Sequence, residues 1–298
     1  MYRNFDEMLN KIRENPQKKK IAVAAAHDRE VLECAVTPKK EQIADFILIG
    51  KENRIREILS ELGENPDTWT ILAETSDSKA AALAASMASK GEADALMKGL
   101  LQTSTFLRAL FQKELGLVPP KTIVSQVTVS EYPSQDRLLL ITDCAVNVTP
   151  GYDEKINLIQ NAVSLAQKID IPLPKVACIA PVEVVNEKMP ETIDAAMLSK
   201  ACDRGQIKGC VVDGPLALDN ALSPEAAKAK GITSDVAGYA DILLMPNLCT
   251  GNAIYKALHY FGNLKTGSAV IGAKIPVVLT SRSDTAESKL HAVALSVL

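Results

Sequence analysis

Short aliphatic and β-branched runs alternate with longer amphipathic stretches along almost the whole of this chain. IAVAAA (residues 21–26), ADFILIG, TWTILAE and ADALMKG are apolar on both sides of a pleat. Between them lie DREVLECAVTPKK, KENRIREILSELG and SDSKAAALAASMASKG, where polar and apolar residues recur at helical spacing. A strand that is apolar on both faces needs cover on both, and helices supply it. Repetition of strand, helix and strand implies a mostly parallel sheet with right-handed crossovers. Gly63 and Gly91 stand where the second and third of these helices should close.

The rhythm breaks after Gly116. LVPPKTIVSQVTVSEYPSQDRLLLITD holds two strand-like runs, residues 122–130 and 137–142, around a Pro-Ser-Gln-Asp turn. That spacing predicts a hairpin, so an antiparallel pair enters here. We expect the chain to cross to a second domain near Pro119-Pro120. Alternation then resumes through YDEKINLIQNAVSLAQKI, PKVACIA, MPETIDAAMLSKACDRG, IKGCVVDG, NALSPEAAKAKG, ADILLMP, GNAIYKALHYFG and GSAVIGAKIPVVLT. The expected class is α/β, with mostly parallel sheets covered by helices.

Chemistry is concentrated where strands hand over to helices. PVVLTSRSDTAESK places Ser281-Arg282-Ser283-Asp284 directly after an apolar run. Asp284 with Glu287 has the spacing of a capping box, which accounts for that pair on structural grounds alone. The same geometry also suits an anion. A helix N-terminus offers free N–H groups and the positive end of its dipole, and an arginine fork beside a hydroxyl completes a pocket. Four further junctions repeat the pattern. In LLMPNLCTGNAIYK, Gly251 and Asn252 open a helix, with Lys256 one turn along the same face. Lys98 and Gly99 follow ADALM, with Thr103 ahead of the next helix. Asp213-Gly214-Pro215 ends a strand, and Asp219 falls in the loop behind it. ITDCAVN brings Thr142, Asp143 and Asn147 to a strand end and also puts Cys144 in a loop, where a thiol is less inert. Each junction alone is explained by capping and turn chemistry. Five of them suggest one cleft for an anionic ligand.

Composition narrows the alternatives. Net charge is −3, so there is no basic field for nucleic acid. The six cysteines are scattered without a CxxC pair, which argues against zinc and for reduced, mostly buried thiols in a cytoplasmic protein. The N-terminus lacks a signal-peptide apolar core, and no apolar run is long enough to span a bilayer. GxGxxG after a strand, GxxxxGK[ST], HExxH and GxSxG are all missing. With only His27, His259 and His291, a Ser-His-Asp triad is not expected. His27 reads as a half-buried residue beside a capping Asp28.

ADALMKG, DCAVN, VDGPLALDNA, SDVAGYADILLMPNLCTGNAIYK and PVVLTSRSD occur in that order between Ala93 and Asp284. Together they resemble the phosphate acetyltransferase/phosphate butyryltransferase family, and GPLALDNA with LTSRSD is closer to the butyryl branch. The resemblance implies a two-domain α/β fold like that of isocitrate and isopropylmalate dehydrogenases, residues 1–120 with 276–298 and residues 121–275, with a cleft between the domains. It implies the reaction butyryl-CoA + phosphate ⇌ butyryl phosphate + CoA, with coenzyme A as substrate, no metal, no tightly bound cofactor, no membrane or nucleic-acid partner, and a homodimer. On this reading Arg282 clamps phosphate and Ser281 donates to the oxyanion. Gly251 and Asn252 contact the anion or carbonyl, and Lys98 and Thr103 complete the anion site. In the acetyl branch an aspartate proposed as base lies seven residues after the serine. Here that position is Ser288, which leaves Asp284, Glu287 and Asp219 as candidate bases. Three other readings stand beside this one: a phosphate acetyltransferase, a metal- and NAD-dependent dehydrogenase of the same architecture, and a non-catalytic protein that binds CoA or a phospholigand. The dehydrogenase needs grouped carboxylates, which the sequence does not show.

Overall fold

The computed structural model describes residues 2–280 and 284–298. They form two compact units, and the chain passes from the first to the second after Thr122 and back after Thr266. The flanking unit comprises Phe5–Thr122 and Gly267–Leu298; the middle unit is Ile123–Thr266 with the first residues of the chain.

The first stretch of the flanking unit runs α1 (Phe5–Glu14), β1 (Lys20–Ala24), α2 (Arg29–Lys40), β2 (Asp45–Gly50), α3 (Glu52–Glu61), β3 (Thr70–Ala73), α4 (Asp77–Ser89), β4 (Ala95–Lys98) and α5 (Thr103–Leu110). The middle unit follows with β5 (Ser125–Tyr132), β6 (Arg137–Thr142), α6 (Tyr152–Lys168), β7 (Lys175–Ile179), α7 (Pro190–Asp203), β8 (Val211–Leu216), α8 (Leu218–Leu222), α9 (Pro224–Ala229), β9 (Ile242–Leu244) and α10 (Leu248–Tyr260). The chain closes with β10 (Thr266–Ile271), β11 (Val277–Val278) and α11 (Ala286–Ser296).

In the flanking unit the strand order is β3-β2-β1-β4-β11-β10, parallel except where β10 meets β11. After their first residues β1 and β2 are buried throughout, as strands covered on both faces must be. α4 packs on β1 through Ala80, Ala81, Ala84, Ala85 and Ala88, all buried. Alanine brings the helix axis close to the sheet, and the apolar contact comes from many small side chains. α1 and α11 meet through Phe5 stacked on the buried His291, ring centroids 3.8 Å apart. In the middle unit the order is β5-β6-β9-β7-β8, with β5 antiparallel to β6 and the rest parallel.

The expected alternation is therefore present, helices cover the sheets, and the hairpin forms around Pro133–Gln135 with Asp136 left-handed at φ 48°. Gly63 and Gly91 both follow helices at φ 75°. Three boundaries differ from the sequence reading. GSAVIGAKIPVVLT is two antiparallel strands, β10 and β11, turned through Gly272 at φ 109°. NALSPEAAKAKG divides at Ser223, whose hydroxyl caps α9 through Ala226 N–H at 3.2 Å. Asp219 consequently lies in the first turn of α8, not in a loop. No helix among the described residues is long and apolar enough to cross a membrane.

Candidate active site

Within the flanking unit, the chain moves outward from β1 through β2 to β3, and β4 then returns to the other side of β1. The carboxyl ends of β1 and β4 are thus a topological switch point, where open α/β sheets hold their ligands. A cavity of about 390 Å³ lies there, lined among others by Asp28, Asp77, Lys98, Gly99, Gln102 and Thr280. Lys289 of α11 and Cys34 of α2 also face it.

Backbone contact shapes this cavity. Gly99 N–H donates to Ala24 O at 2.8 Å and Leu100 N–H to Ala25 O at 2.9 Å, so β4 stays zipped to the chain leaving β1. A Cβ on Gly99 would lie 2.3 Å from Ala25 O, so only glycine allows the approach. Lys98 Nζ donates to the carbonyls of Gly99 and Leu101 at 3.2 and 3.1 Å, which places its charge over the turn. Asp28 caps α2 by accepting from Val31 N–H at 3.3 Å. His27 is buried more completely than the sequence reading expects, with Nε2 3.7 Å from Asp77 Oδ1. Burial, reinforced by Lys51, lowers its pKa, so the imidazole is neutral near pH 7.

Thr280, the residue before Ser281, lines this cavity. Ser281, Arg282 and Ser283 lie outside the described residues. Thr103 is exposed at the start of α5, and the neighbouring Gln102 is the lining residue. The expected capping role of Asp284 does not hold. Thr285 is the cap of α11: its Oγ1 accepts from Ser288 N–H and pairs with Ser288 Oγ, both at 3.1 Å. The helix therefore begins one residue later than an Asp284 cap requires. Ser288 is buried in that capping contact, while Asp284 and Glu287 sit before and within the first turn.

The remaining sequence candidates fall in the middle unit. There the loop after β6 is folded around a buried carboxylate. Asp143 Oδ1 accepts from Ala145 and Val146 N–H at 2.8 and 3.0 Å. Its Oδ2 accepts from Asn147 N–H at 3.1 Å and Asn147 Nδ2 at 2.5 Å. Asn147 Nδ2 also reaches Val124 O at 2.9 Å, and the buried Thr142 donates to Gln126 O at 3.3 Å. Both side chains expected at a ligand are thus bonded within the protein.

Gly251 and Asn252 serve the same loop. α10 begins earlier than GNAIYK suggests, with Asn247 as cap accepting from Thr250 N–H at 3.0 Å. Gly251 is inside the helix and its N–H is already given to Asn247 O at 3.1 Å. Its missing side chain admits backbone, not ligand: a Cβ would stand 2.1 Å from Asp143 O. Asn252 Nδ2 donates to Cys144 O at 3.1 Å. Lys256 is exposed further along α10. Asp219 Oδ2 lies 3.6 Å from Lys230 Nζ, which also pairs with Glu183.

The expectation for Cys144 is overturned. Its loop is packed, its side chain is inaccessible, and burial pushes its pKa up to about 12. Burial likewise raises Cys178 and holds Cys34 at about 11. Cys249, by contrast, is exposed in the first turn of α10. We expect a thiol reagent at pH 8 to modify Cys249 in the folded protein and Cys144 only after denaturation; peptide mapping checks this. Prompt labelling of Cys144 would contradict its burial.

Residues 58–297 match the family described as phosphate acetyl/butaryl transferase. The chain belongs to the phosphate acetyl/butyryl transferase family. Among its relatives is the phosphate butyryltransferase of Clostridium acetobutylicum, 50% identical over 298 residues, covering 100% of this chain and 98% of that protein. The phosphate acetyltransferase of Thermotoga maritima is 43% identical over 281 residues, 93% of this chain and 94% of that protein. Among solved structures, a branched-chain phosphotransacylase from Enterococcus faecalis V583 superimposes with a TM-score of 0.81. It has 33% identity and covers 93% of this chain and 97% of that one. In this transferase, sequence reasoning missed Asp28, Asp77, Gln102 and Lys289 as cavity residues. Asp28 was within reach, since it directly follows the first strand; the others come to the cavity only through strand order.

Proposed function

We propose that this protein transfers a short acyl group between coenzyme A and inorganic phosphate, with butyryl-CoA and butyryl phosphate as the principal pair. The observation that carries the reading is full-length kinship: 50% identity across the whole chain to a phosphate butyryltransferase. The cavity at the β1/β4 switch point, with Lys98 and Thr280 on its lining, supports it.

In the forward direction a phosphate oxygen attacks the thioester carbonyl, an oxyanion develops, and CoA thiolate leaves. In reverse the thiol, with an ordinary pKa of about 8.5, must lose its proton before attacking the acyl phosphate. The site therefore needs a clamp, oxyanion donors and a proton acceptor. We assign the clamp to Arg282 and the oxyanion contact to Ser281. Lys98 supplies a second positive charge, and Thr103 borders that wall. Lys256 supplies the exposed cation of α10. Thr142, Asn147, Gly251 and Asn252 act by holding the Asp143 loop and α10 in register. Asp284, Glu287 and Asp219 are the carboxylates proposed as base, of which Asp219 is the one already paired with a lysine. The proposal includes an isocitrate/isopropylmalate dehydrogenase-like pair of domains with a cleft between them, and a cytoplasmic homodimer.

The test is phosphate-dependent release of free thiol from butyryl-, isobutyryl- and acetyl-CoA. The expected result is turnover that requires phosphate, with overlapping substrates because one methylene is worth only about 1–3 kcal/mol of discrimination. CoA binding without turnover on any of the three would replace the reading with a non-catalytic binder.

A further inference from the structure

Two cysteines come together in the middle unit away from the groups considered above. Cys202 is the penultimate residue of α7 and is partly exposed. Cys210 immediately precedes β8 and is buried. Cys202 Sγ donates to Cys210 O at 3.4 Å, which sets the Cys202 sulfur beside residue 210. Cys178 of β7 is buried and lies further along the sheet, since the register sets Lys175 opposite Val211. The connection between Cys202 and Cys210 turns through Gly205 and Gly209, both left-handed at φ 71° and 76°.

We infer that Cys202 and Cys210 form a peroxide-driven intrachain disulfide that ties the end of α7 to the start of β8.

The sites differ in the way such a reaction needs. Cys202 has access to solvent and meets the oxidant first. Its thiolate attacks one peroxide oxygen: the S–O bond forms, the O–O bond breaks, and hydroxide leaves to take a proton, giving a sulfenic acid. Cys210 is buried, which shields it from peroxide and, with its pKa raised to about 12, keeps its proton in place until the next step draws it off. Its sulfur then attacks the Cys202 sulfur. The S–S bond forms, the S–O bond breaks, and water departs with the Cys210 proton. Two thiols and one hydrogen peroxide become one disulfide and two waters, the sulfurs giving up two electrons in all. Cys178, enclosed and more strongly raised, is left as a thiol.

The link would close a short loop between an established helix and a parallel strand, so its effect falls on stability. Dithiols reverse it by exchange.

The experiment treats the full-length protein with hydrogen peroxide, blocks remaining thiols, and maps peptides without reduction. The expected result is a Cys202–Cys210 peptide and a thermal midpoint raised by about 5 °C, restored by dithiothreitol. Cys202→Ser should abolish both the linked peptide and the shift. Cys210→Ser should leave Cys202 to proceed to sulfinic acid, a different mass signature. Recovery of wild-type Cys202 as sulfinic acid with Cys210 still free would overturn the proposal, as would linkage through any other pair.

Discussion

Arg282→Gln is expected to lower kcat/KM for phosphate-dependent cleavage of butyryl-CoA by about 10²–10³-fold, with circular dichroism and thermal midpoint unchanged. The argument is one of geometry and charge. Phosphate presents two oxygens in a plane, and a guanidinium fork meets both with parallel charge-assisted hydrogen bonds. Glutamine keeps a neutral donor but is two bonds shorter and loses the charge and the fork. Lys98 cannot take over, because its ammonium is a point charge already held by the carbonyls of Gly99 and Leu101. The cavity also carries the carboxylates of Asp28, Glu30 and Asp77, which repel phosphate unless a fixed cation outweighs them. The KM for phosphate should rise more than that for butyryl-CoA, since the thioester has no part in the clamp. A fall of less than about tenfold, equivalent to ~1.4 kcal/mol of transition-state binding, would remove Arg282 from the reaction.

Gly251→Ala should cost about 3 kcal/mol of stability and lower the thermal midpoint by roughly 6–10 °C. The sign is the opposite of what helix propensity alone gives, since alanine for glycine inside a helix is favourable by about 1 kcal/mol. Here the added Cβ would stand 2.1 Å from Asp143 O, 3.0 Å from Asp143 C and 3.3 Å from Cys144 Cα. All three are backbone atoms, so no side chain can rotate away. The loop cannot retreat cheaply either. Asp143 holds it through four hydrogen bonds, and Asn252 ties Cys144 O back to α10. Gly63→Ala is the control: its φ is 75° but nothing lies within 4 Å of the missing Cβ, so only the smaller conformational cost remains. A Gly251→Ala protein that melts with wild type would mean that α10 and the Asp143 loop move apart freely.

The alternation of apolar runs and amphipathic segments was enough to read the α/β class, the parallel strands and the hairpin at Pro133–Gln135. Those features are local: burial on both faces shows as an unbroken apolar run, and a turn shows in its own residues. The ends of the apolar runs at Lys98-Gly99 and at Thr280 were likewise legible, because polar residues and glycine interrupt a strand where it closes, and all three line the cavity. Residue type alone did not show the structural partners of others. Gly251 and Asn252 look like ligand contacts and turn out to serve backbone. Thr142 and Asn147 look like donors awaiting an anion and turn out to be spent on Gln126, Val124 and Asp143. Cys144 looks exposed because its neighbours are loop-like, yet a buried carboxylate folds that loop tightly enough to enclose it.

What the sequence determined by itself is the order of strands and helices, the glycine stops at Gly63 and Gly91, and the family, because each is written in neighbouring residues. What only tertiary structure decided is which strand ends become neighbours. β1 and β4 are separated by two strands and three helices along the chain, yet they lie side by side and bring Asp28, Asp77, Lys98 and Lys289 to one cavity. No local pattern carries that pairing, since it arises when distant apolar strands bury one another and the sheet order reverses at β1. The same holds for Gly251, whose role is set by an atom of Asp143 more than a hundred residues earlier in the chain.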